Sequence, residues 1–255
     1  MNKDVNKHVD TAVNKNVDTA SQSPLAVALS QVDFAWPGQP RVLSDLTLSV
    51  PTAERVFLFG PSGSGKSTLL GILGAVQLPQ RGSACVLGQD LARLSAAQRD
   101  RFRADHIGFV FQQFNLLPYL SLQENVLLGC RFSTRRASRA SAANGSLPAH
   151  AGALLTALGL GQLDPGRKVH ALSVGQQQRV AVARALAGQP ELLICDEPTS
   201  ALDEDTRNAF LTLLFEQCTA ARSTLIFVSH ERSLASRFDR SLSLTDLQAA
   251  SGSGA

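Results

Sequence analysis

The chain has 255 residues, of which 44% are hydrophobic and 18% are charged. This composition supplies enough apolar residues for one globular domain or two small lobes, and it excludes collagen-like, disulfide-scaffold and wholly disordered proteins. The formal net charge of +3 is far below that of a basic surface that binds nucleic acid without sequence specificity.

The chain begins with a polar segment that contains a short repeat. Residues 5–12, VNKHVDTA, return almost unchanged as residues 13–20, VNKNVDTA. Such a short polar unit, copied only once, cannot bury a hydrophobic core. Residues 1–24 are therefore predicted to form a disordered extension, with a docking peptide as the alternative.

No segment of the sequence has the pattern of a secretion signal or a membrane span. The first residues lack a hydrophobic core, and no apolar run approaches the roughly 18 residues needed to cross a bilayer. The 4 cysteines, at positions 85, 130, 195 and 218, have no metal-ligand spacing and are predicted to be buried thiols in a reducing compartment. We therefore expect a protein that neither spans a membrane nor is exported.

The next segment predicts strands, a glycine loop and a helix. Apolar residues at every second position in residues 25–36 and 46–50 indicate half-buried strands. The continuous apolar run at residues 56–59 indicates a central strand that is covered on both faces. A helix is predicted to begin near Lys66 after the glycine loop. Its buried face would carry Leu69, Ile72, Leu73 and Val76.

The remaining sequence alternates between predicted strands and helices. Strands are expected at residues 83–87, 107–111, 192–195, 224–228 and 241–247, and helices at residues 90–104, 175–187 and 206–218. This alternation predicts a mostly parallel sheet. Residues 115–172 lack convincing strands and are predicted to form a helical insert.

Within that insert, residues 133–150 are rich in Ser, Ala and Arg and are predicted to form a flexible surface loop. The arginines concerned are Arg131, Arg135, Arg136 and Arg139. They are expected to be solvated, because no apolar face accompanies them. A contact with anionic lipid or a partner is the alternative.

A phosphate-binding loop is predicted at residues 60–68, GPSGSGKST, which fit the pattern G-x-x-x-x-G-K-[ST]. Backbone N–H groups of such a loop surround phosphate oxygens, and the following helix points its positive end at them. Lys66 would reach the β- and γ-phosphates, and the Ser67 hydroxyl would hold Mg²⁺. An ordinary glycine-rich turn is the alternative. The candidate binding residues are Gly60, Pro61, Ser62, Gly63, Ser64, Gly65, Lys66, Ser67 and Thr68.

Two carboxylates follow the apolar strand that is predicted at residues 192–195. Asp196 would act on Mg²⁺, usually through water, and Glu197 would orient or deprotonate the attacking water. A solvated turn with paired acids is the alternative. The phosphate-binding loop favours the functional interpretation, because each motif needs the other.

At residues 172–179, LSVGQQQR, the sequence resembles the nucleotide-binding subunit of an ATP-binding cassette (ABC) transporter, and the likeness covers residues 25–247. Elements occur in the family's order: Trp36, the Walker A loop at 60–68, Gln112, the signature at 172–176, the Walker B strand at 192–197, residues 200–203 and His230. The resemblance implies an α/β P-loop NTPase fold. It would have a mostly parallel sheet, an antiparallel β subdomain and a helical insert at about residues 113–178. The nucleotide-binding domain would cover residues 25–248, and residues 249–255 would form a flexible tail.

The resemblance also implies roles around one bound nucleotide. Trp36 would stack on adenine, with a strand-end Trp packed on the core as the alternative. Gln112, with Gln113 as the adjacent alternative, would lie near Mg²⁺ and the attacking water. His230 would contact the γ-phosphate, although an isolated His at a strand end is more often a surface residue. Catalytic roles thus fall to Gln112, Glu197 and His230, and metal binding to Ser67, Gln112 and Asp196.

The signature would complete a second site on another subunit. By resemblance, Ser173, Gly175 and Gln176 close on the γ-phosphate of an ATP that the other subunit holds, and Asp203 lies at the interface between the subunits. A homodimer that binds two Mg-ATP molecules head to tail is therefore expected. Val174 occupies a position where the family usually has Gly, so its side chain would alter how closely the loop approaches phosphate.

The resemblance implies an ATPase that drives a separate membrane permease. Residues 108–118 and the ending QQQR of the signature resemble the bacterial lipoprotein-release and macrolide-export group. That group implies a permease with a large extracytoplasmic domain (MacB/FtsX-like), export or extraction of lipoprotein, peptide or hydrophobic substrates, and a peripheral location on the cytoplasmic face of the inner membrane. No nucleic-acid partner is expected. An amino-acid importer, a soluble cassette ATPase acting on DNA or ribosomes, and a P-loop kinase of small molecules are the alternatives.

A contact with the permease is predicted in the segment after Gln112. Its apolar residues Leu116, Leu117, Tyr119 and Leu120 surround a proline. They are expected to line a groove for a permease helix, with a plain core turn as the alternative.

Overall fold

The computed structural model describes residues 24–200 and 202–252. The prediction that residues 1–24 form a disordered extension with a repeat lies outside the described residues except for Pro24. Of the predicted flexible tail at residues 249–255, residues 249–252 are helical instead, and residues 253–255 lie outside the described residues. Within the part that is described, no helix is long and apolar enough to cross a membrane. All 4 cysteines are free; Cys130, Cys195 and Cys218 are buried, and Cys85 is half-buried.

The chain alternates between strands and helices. The strands are β1 (Leu25–Ala35), β2 (Arg41–Pro51), β3 (Arg55–Phe59), β4 (Arg81–Val86), β5 (Gln89–Asp90), β6 (Ile107–Val110), β7 (Leu192–Asp196), β8 (Thr224–Val228) and β9 (Arg240–Ser243). The helices are α1 (Lys66–Leu73), α2 (Ala96–His106), α3 (Leu122–Arg131), α4 (Thr134–Asn144), α5 (Leu147–Ala157), α6 (Val174–Leu186), α7 (Glu204–Ala221) and α8 (Leu244–Gly252).

The strands form an antiparallel sheet of order β2-β1-β4-β5 and a parallel sheet of order β6-β7-β8-β3-β9. In β1, the apolar alternation changes phase between Leu29 and Val32, where the register with β2 shifts and Gln31 has φ 49°. Such a bulge keeps both apolar sets on the same face of the sheet. The predicted α/β fold with a mostly parallel sheet and an antiparallel β subdomain is confirmed.

The parallel sheet brings distant motifs to one edge. Strands β3, β7 and β8 are neighbours, and their carboxyl ends lead into residues 60–68, 196–197 and 229–230. In an open α/β sheet, ligands bind in the crevice outside the carboxyl ends of the strands. The topology therefore places the predicted loop, acids and histidine around one crevice.

Several predicted local features differ in the structure. The helix expected at residues 90–104 begins only at Ala96, after β5 and a short 3-10 turn at Leu91–Arg93. The strand expected at residues 241–247 ends at Ser243, because the Ser243 hydroxyl accepts a hydrogen bond from the Asp246 N–H and α8 begins instead. Helix α1 ends at Leu73 with Gly74 as its C-cap. Val76 therefore lies beyond the helix and is 57% exposed rather than part of its buried face.

The prediction of a flexible loop at residues 133–150 is wrong, because the segment forms α4 and the first turn of α5. Ser133 and Ser146 are their N-caps, each accepting a hydrogen bond from a backbone N–H. Ala and Arg favour helices in their interior, and Ser favours the cap position. A composition that also suits a loop thus encodes two capped helices.

Arg136 on α4 is buried, in contrast to the predicted solvated side chain. Its guanidinium donates hydrogen bonds to Ala185 O at 2.6 Å and Ala187 O at 2.7 Å, at the carboxyl end of α6. Burial lowers the pKa of Arg136 to about 10, which leaves it charged at neutral pH. The carbonyls at a helix end carry negative partial charge and offset the burial of this cation. Arg136 therefore fastens the helical insert to α6.

Candidate nucleotide-binding site

The loop between β3 and α1 is shaped by a glycine at the start of the helix. Gly65 is the N-cap of α1 and has φ 98°, in the left-handed region. A Cβ atom at this position would lie 2.8 Å from Leu43 Cδ2 and 3.1 Å from Val42 O, so no other residue fits without displacement. The first N–H groups of α1 have no intrahelical acceptor and favour an anion at this end.

Lys66 places a cation at the mouth of the loop. Its side chain is largely buried, and Nζ donates hydrogen bonds to Gly60 O and Pro61 O at 2.9 Å each. These carbonyls hold the ammonium group beside the N-terminus of α1. The lysine and the helix end together form a positive region that suits phosphate groups.

A cleft of about 500 Å³ opens beside this loop. It is lined by Trp36, Gln39, Val42, Ser62, Gly63, Gly65, Lys66, Ser67, Thr68, Gln112, Glu197 and His230. All of these except Gln39 and Val42 are candidates from the sequence. Residues from the antiparallel sheet, the glycine loop and the ends of β6, β7 and β8 thus meet in one cavity.

Sequence reasoning missed Gln39 and Val42, which a turn brings into the cleft. The Gln39 N–H donates a hydrogen bond to Trp36 O at 3.0 Å, closing a turn over Pro37 and Gly38. The Pro-Gly dipeptide is a turn signal that places Gln39 next to Trp36. This dipeptide is the sequence feature from which the position of Gln39 could have been predicted.

Trp36 combines the two interpretations that the sequence leaves open. Its ring packs edge to face on Phe34, with 5.1 Å between centroids, and it is also 39% exposed and lines the cleft. A ring supported on one side and exposed on the other can offer its free face to a flat base. Stacking on adenine remains a prediction.

The acidic end of β7 contacts the histidine that follows β8. Glu197 has φ 47° and donates its backbone N–H to Val228 O at 3.0 Å. Its Oε1 lies 2.5 Å from His230 Nε2. This left-handed backbone conformation is uncommon for a non-glycine residue. The geometry places a carboxylate and an imidazole together at the cleft.

The donor set of the cleft fits Mg²⁺. The Ser67 hydroxyl and the Gln112 amide line it, and Asp196 precedes Glu197 at the same strand end. Burial and the charge of Glu197 raise the pKa of Asp196, although Lys66 and His230 act in the opposite direction. Oxygen ligands beside two carboxylates suit a hard divalent cation. Ser67, Gln112 and Asp196 would hold the ion, which would supply positive charge against the negative charge that develops on the phosphates during hydrolysis.

The other residues of the glycine loop support the cleft without lining it. Gly60 and Pro61 accept the hydrogen bonds of Lys66. Ser64 turns inward, and a Cβ on Gly60 would lie 2.7 Å from its Oγ. These residues fix the loop from behind, and their part in phosphate binding remains a prediction.

The signature residues lie outside this cleft. Ser173 is the exposed N-cap of α6, and its Oγ accepts a hydrogen bond from Gln176 N while Gln176 Oε1 accepts one from Ser173 N. Val174 is half exposed beside them, and Gly175 faces a separate small cavity toward α7. The structure thus leaves this helix end open to another molecule.

Asp203 is also exposed and outside the cleft. It is the N-cap of α7, and its Oδ1 accepts a hydrogen bond from Thr206 N at 2.9 Å. Hydrogen bonds from Thr206 lower the pKa of Asp203, so the side chain is a carboxylate at neutral pH. This places a fixed negative charge at the start of α7.

Helix α6 contacts both loops that reach the cleft. Gln178 Nε2 donates a hydrogen bond to Pro198 O, directly after Glu197. Arg184 donates to Phe114 O at 2.5 Å and Asn115 O at 2.6 Å, shortly after Gln112. The helix that begins at the signature is therefore bound to both sides of the candidate catalytic centre.

This geometry defines a P-loop nucleoside triphosphatase, a class in which positioning and charge stabilisation carry phosphoryl transfer. The chain belongs to the ABC transporter family, whose model matches residues 43–200. The predicted family and ATP hydrolysis are therefore confirmed, and the protein is an ATPase of this family.

Individual relatives are similar over most of the chain. The lipoprotein-releasing system ATP-binding protein LolD of Xanthomonas oryzae pv. oryzae is 41% identical over 204 residues, which cover 80% of each protein. The macrolide export ATP-binding/permease protein MacB 2 of Aeromonas hydrophila is 40% identical over 217 residues, which cover 84% of this chain and 32% of that longer protein.

A solved structure shows the same fold. The dimeric structure of the ATP-binding cassette MJ0796 in a post-hydrolysis state, bound to ADP and Pi, matches with a TM-score of 0.71 and 33% identity, covering 85% of this chain and 93% of that chain.

Proposed function

We propose that this protein is the ATP-hydrolysing subunit of a transporter, in which two copies bind two Mg-ATP molecules head to tail and drive a separate membrane permease. The transporter would export or extract lipoprotein, peptide or hydrophobic substrates. The names of the relatives, lipoprotein release and macrolide export, support this choice. The protein would then lie on the cytoplasmic face of the inner membrane, held there by the permease.

The observation that carries the head-to-tail arrangement is the exposed start of α6. Ser173 caps a helix whose free N–H groups favour an anion, yet it does not line the cleft that contains Lys66. One chain therefore has two half-sites that do not meet. Two chains related by a twofold axis would join each half-site to its complement. The solved structure of the similar cassette MJ0796 is dimeric, which supports a dimer of this chain.

A mixing experiment tests this arrangement. We expect Lys66→Ala and Ser173→Asp each to be inactive alone, because the first loses the phosphate-binding cation and the second places a negative charge opposite the γ-phosphate. Mixed in equal amounts, they should recover up to about a quarter of the wild-type ATPase rate, since about half of random dimers are mixed and each has one intact composite site. The rate of phosphate release measures the recovery.

The chain offers a matched control for the second variant. Ser95 is the exposed N-cap of α2 and forms the same capping box, with Gln98. Ser95→Asp keeps an acceptable cap and should leave the ATPase rate unchanged. Absence of any recovery in the mixture, with Mg-ATP present and both variants folded, would refute composite sites.

A second surface supports the permease as partner. A groove of about 700 Å³ lies between α2, β6 and α3. Its apolar part includes Phe109 and Phe111, whose rings stack with 4.3 Å between centroids, and Phe132, which is 69% exposed. Exposed aromatic surface bounded by charges is typical of an interaction site.

The charged border and the position of this groove suit a regulatory contact with the permease. Arg101, Arg103 and Arg184 line it, with Asp100 as an acidic residue beside them. An amphipathic helix with acidic residues would match this border. Arg184 also holds the loop after Gln112, so an occupant of the groove would act on the cleft.

The groove differs from the one predicted from the sequence. The residues expected to line it, Leu116, Leu117, Tyr119 and Leu120, are absent from its wall. Leu116 packs against the core instead. The buried Asn125 side chain donates to Leu117 O and accepts from Leu117 N, which folds the segment back on α3. This hydrogen bonding favours the plain-turn alternative for the segment.

We expect Phe132→Asp to abolish recovery of the permease while the ATPase rate of the isolated protein stays within about twofold of wild type, because an exposed aromatic at an interface contributes binding rather than folding energy. The test is purification of tagged protein from detergent extracts, with mass spectrometry of the co-eluting membrane protein. Tyr119→Asp changes an equally exposed aromatic outside the groove and should retain the permease. Recovery of nucleic acid or ribosomes instead would indicate the soluble alternative.

A further inference from the structure

The segment that carries His230 is joined to α7 by an ion pair. Arg207 NH1 on α7 lies 2.8 Å from Glu231 Oε2, and Glu231 directly follows His230. The Arg207 side chain is only 14% exposed. An ion pair in which one partner is mostly shielded from water is less screened than a surface pair. The contact therefore restrains the residue next to His230.

Glu231 is held from its own segment as well. Its backbone N–H donates to Ser229 Oγ at 3.1 Å, and its Oε1 accepts from Ser233 Oγ at 3.1 Å. One carboxylate oxygen thus binds the local turn and the other binds α7. Glu231 therefore connects the segment that follows β8 to α7, directly beside His230.

A second arginine holds the same segment farther along α7. Arg237 donates to Asn208 Oδ1 at 3.1 Å and to Thr212 Oγ1 at 3.0 Å. Because this contact does not involve Glu231, it would keep the segment packed on α7 when the ion pair is removed. We therefore expect a variant at Arg207 to change the position of His230 without releasing the whole segment.

Arg207 also lies one helical turn after Asp203. Its backbone N–H donates to Asp203 O at 2.9 Å in the first turn of α7. At the other end of the connection, His230 Nε2 lies 2.5 Å from Glu197 Oε1. A continuous series of contacts thus connects Asp203 at the start of α7 with Glu197 at the cleft. It passes through the Arg207–Glu231 ion pair and His230.

We propose that Arg207 is a positioning residue: through Glu231 it holds His230 against Glu197 and makes that placement depend on the start of α7. This inference rests on the proposed catalytic role of His230. Since Asp203 would lie at the subunit interface in the proposed dimer, closure of the dimer would set the position of His230 in the same chain. Small displacements of catalytic groups have large effects on rate.

The experiment compares Arg207→Met, Arg207→Lys and Glu231→Gln in the full-length protein. Arg207→Met and Glu231→Gln should each lower kcat about 10-fold and leave KM for ATP within about twofold, because ATP contacts are intact and only alignment is lost. Arg207→Lys keeps the charge and should retain most of the wild-type kcat. A purely structural role would instead lower the unfolding temperature and would not separate kcat from KM.

Arg93→Met is the control variant. Arg93 also forms an ion pair, with Asp90, but neither residue lines the cleft. This variant should behave as wild type. Wild-type kcat in Arg207→Met, or equal losses in Arg207→Met and Arg207→Lys, would overturn the proposal.

His230→Ala separates this proposal from the one on which it rests. It should lose activity at least as strongly as Arg207→Met. If His230→Ala is as active as wild type, the catalytic role of His230 fails, and the proposed link fails with it. If His230→Ala is inactive while Arg207→Met is unaffected, only the link fails.

Discussion

Lys66→Ala should hydrolyse ATP about a thousandfold more slowly than the wild type, because removing a group that stabilises transition-state charge costs this much in related sites. Lys66 supplies the ammonium group at the start of α1, and its Nζ is already held 2.9 Å from two loop carbonyls. Without it, the negative charge that spreads over the γ-phosphate oxygens would face only helix N–H groups at this position. Binding of nucleotide should weaken together with turnover.

Phosphate release and the binding of a fluorescent ATP analogue are the measurements for this variant. Lys168→Ala is the matched control, since Lys168 is exposed and its Nζ donates to Tyr119 O, away from the cleft. Both variants should unfold at temperatures near that of the wild type. Normal turnover in Lys66→Ala would exclude the proposed phosphate cradle.

The parts of the site that lie next to each other in sequence could be predicted from it. The glycine loop is recognisable because its glycines and Lys66 are close in the chain and stand between a buried strand and a helix. The paired acids directly follow a buried strand, and the presence of the glycine loop favours their functional interpretation. The strand or helix that positions each motif is adjacent to it in the chain. Hydrophobic periodicity and residue spacing were therefore sufficient to predict both the motif and the elements beside it.

Contacts between distant segments could not be predicted in this way. Arg136 appears in an Arg-rich stretch that suits a solvated surface, and only the fold shows that carbonyls of α6 receive it. The groove is similar, because Phe111 follows β6 and Phe132 follows α3, and the two residues meet where α3 and β6 both pack against α6. Hydrophobic periodicity describes one element at a time and leaves such pairings undetermined.

Glu197→Gln should lower turnover about a thousandfold while ATP remains bound, because an amide fills the same space but cannot accept the proton of the attacking water. Lys66 and the start of α1 are untouched, so the phosphates would still be held. A dimer that closes on ATP and opens after hydrolysis would then accumulate in its closed state. Light scattering after size-exclusion chromatography with Mg-ATP measures the mass of the complex.

Two further variants show whether that dimer is the proposed one. Glu216→Gln makes the same change on an exposed part of α7 and should neither slow turnover nor produce a stable dimer. Adding Ser173→Asp to Glu197→Gln should leave ATP bound to a monomer, because the phosphate is then repelled by the opposite signature. An ATP-loaded monomer of Glu197→Gln alone would contradict the role of Glu197 in activating water. A dimer that tolerates Ser173→Asp would mean that the two chains meet through another surface.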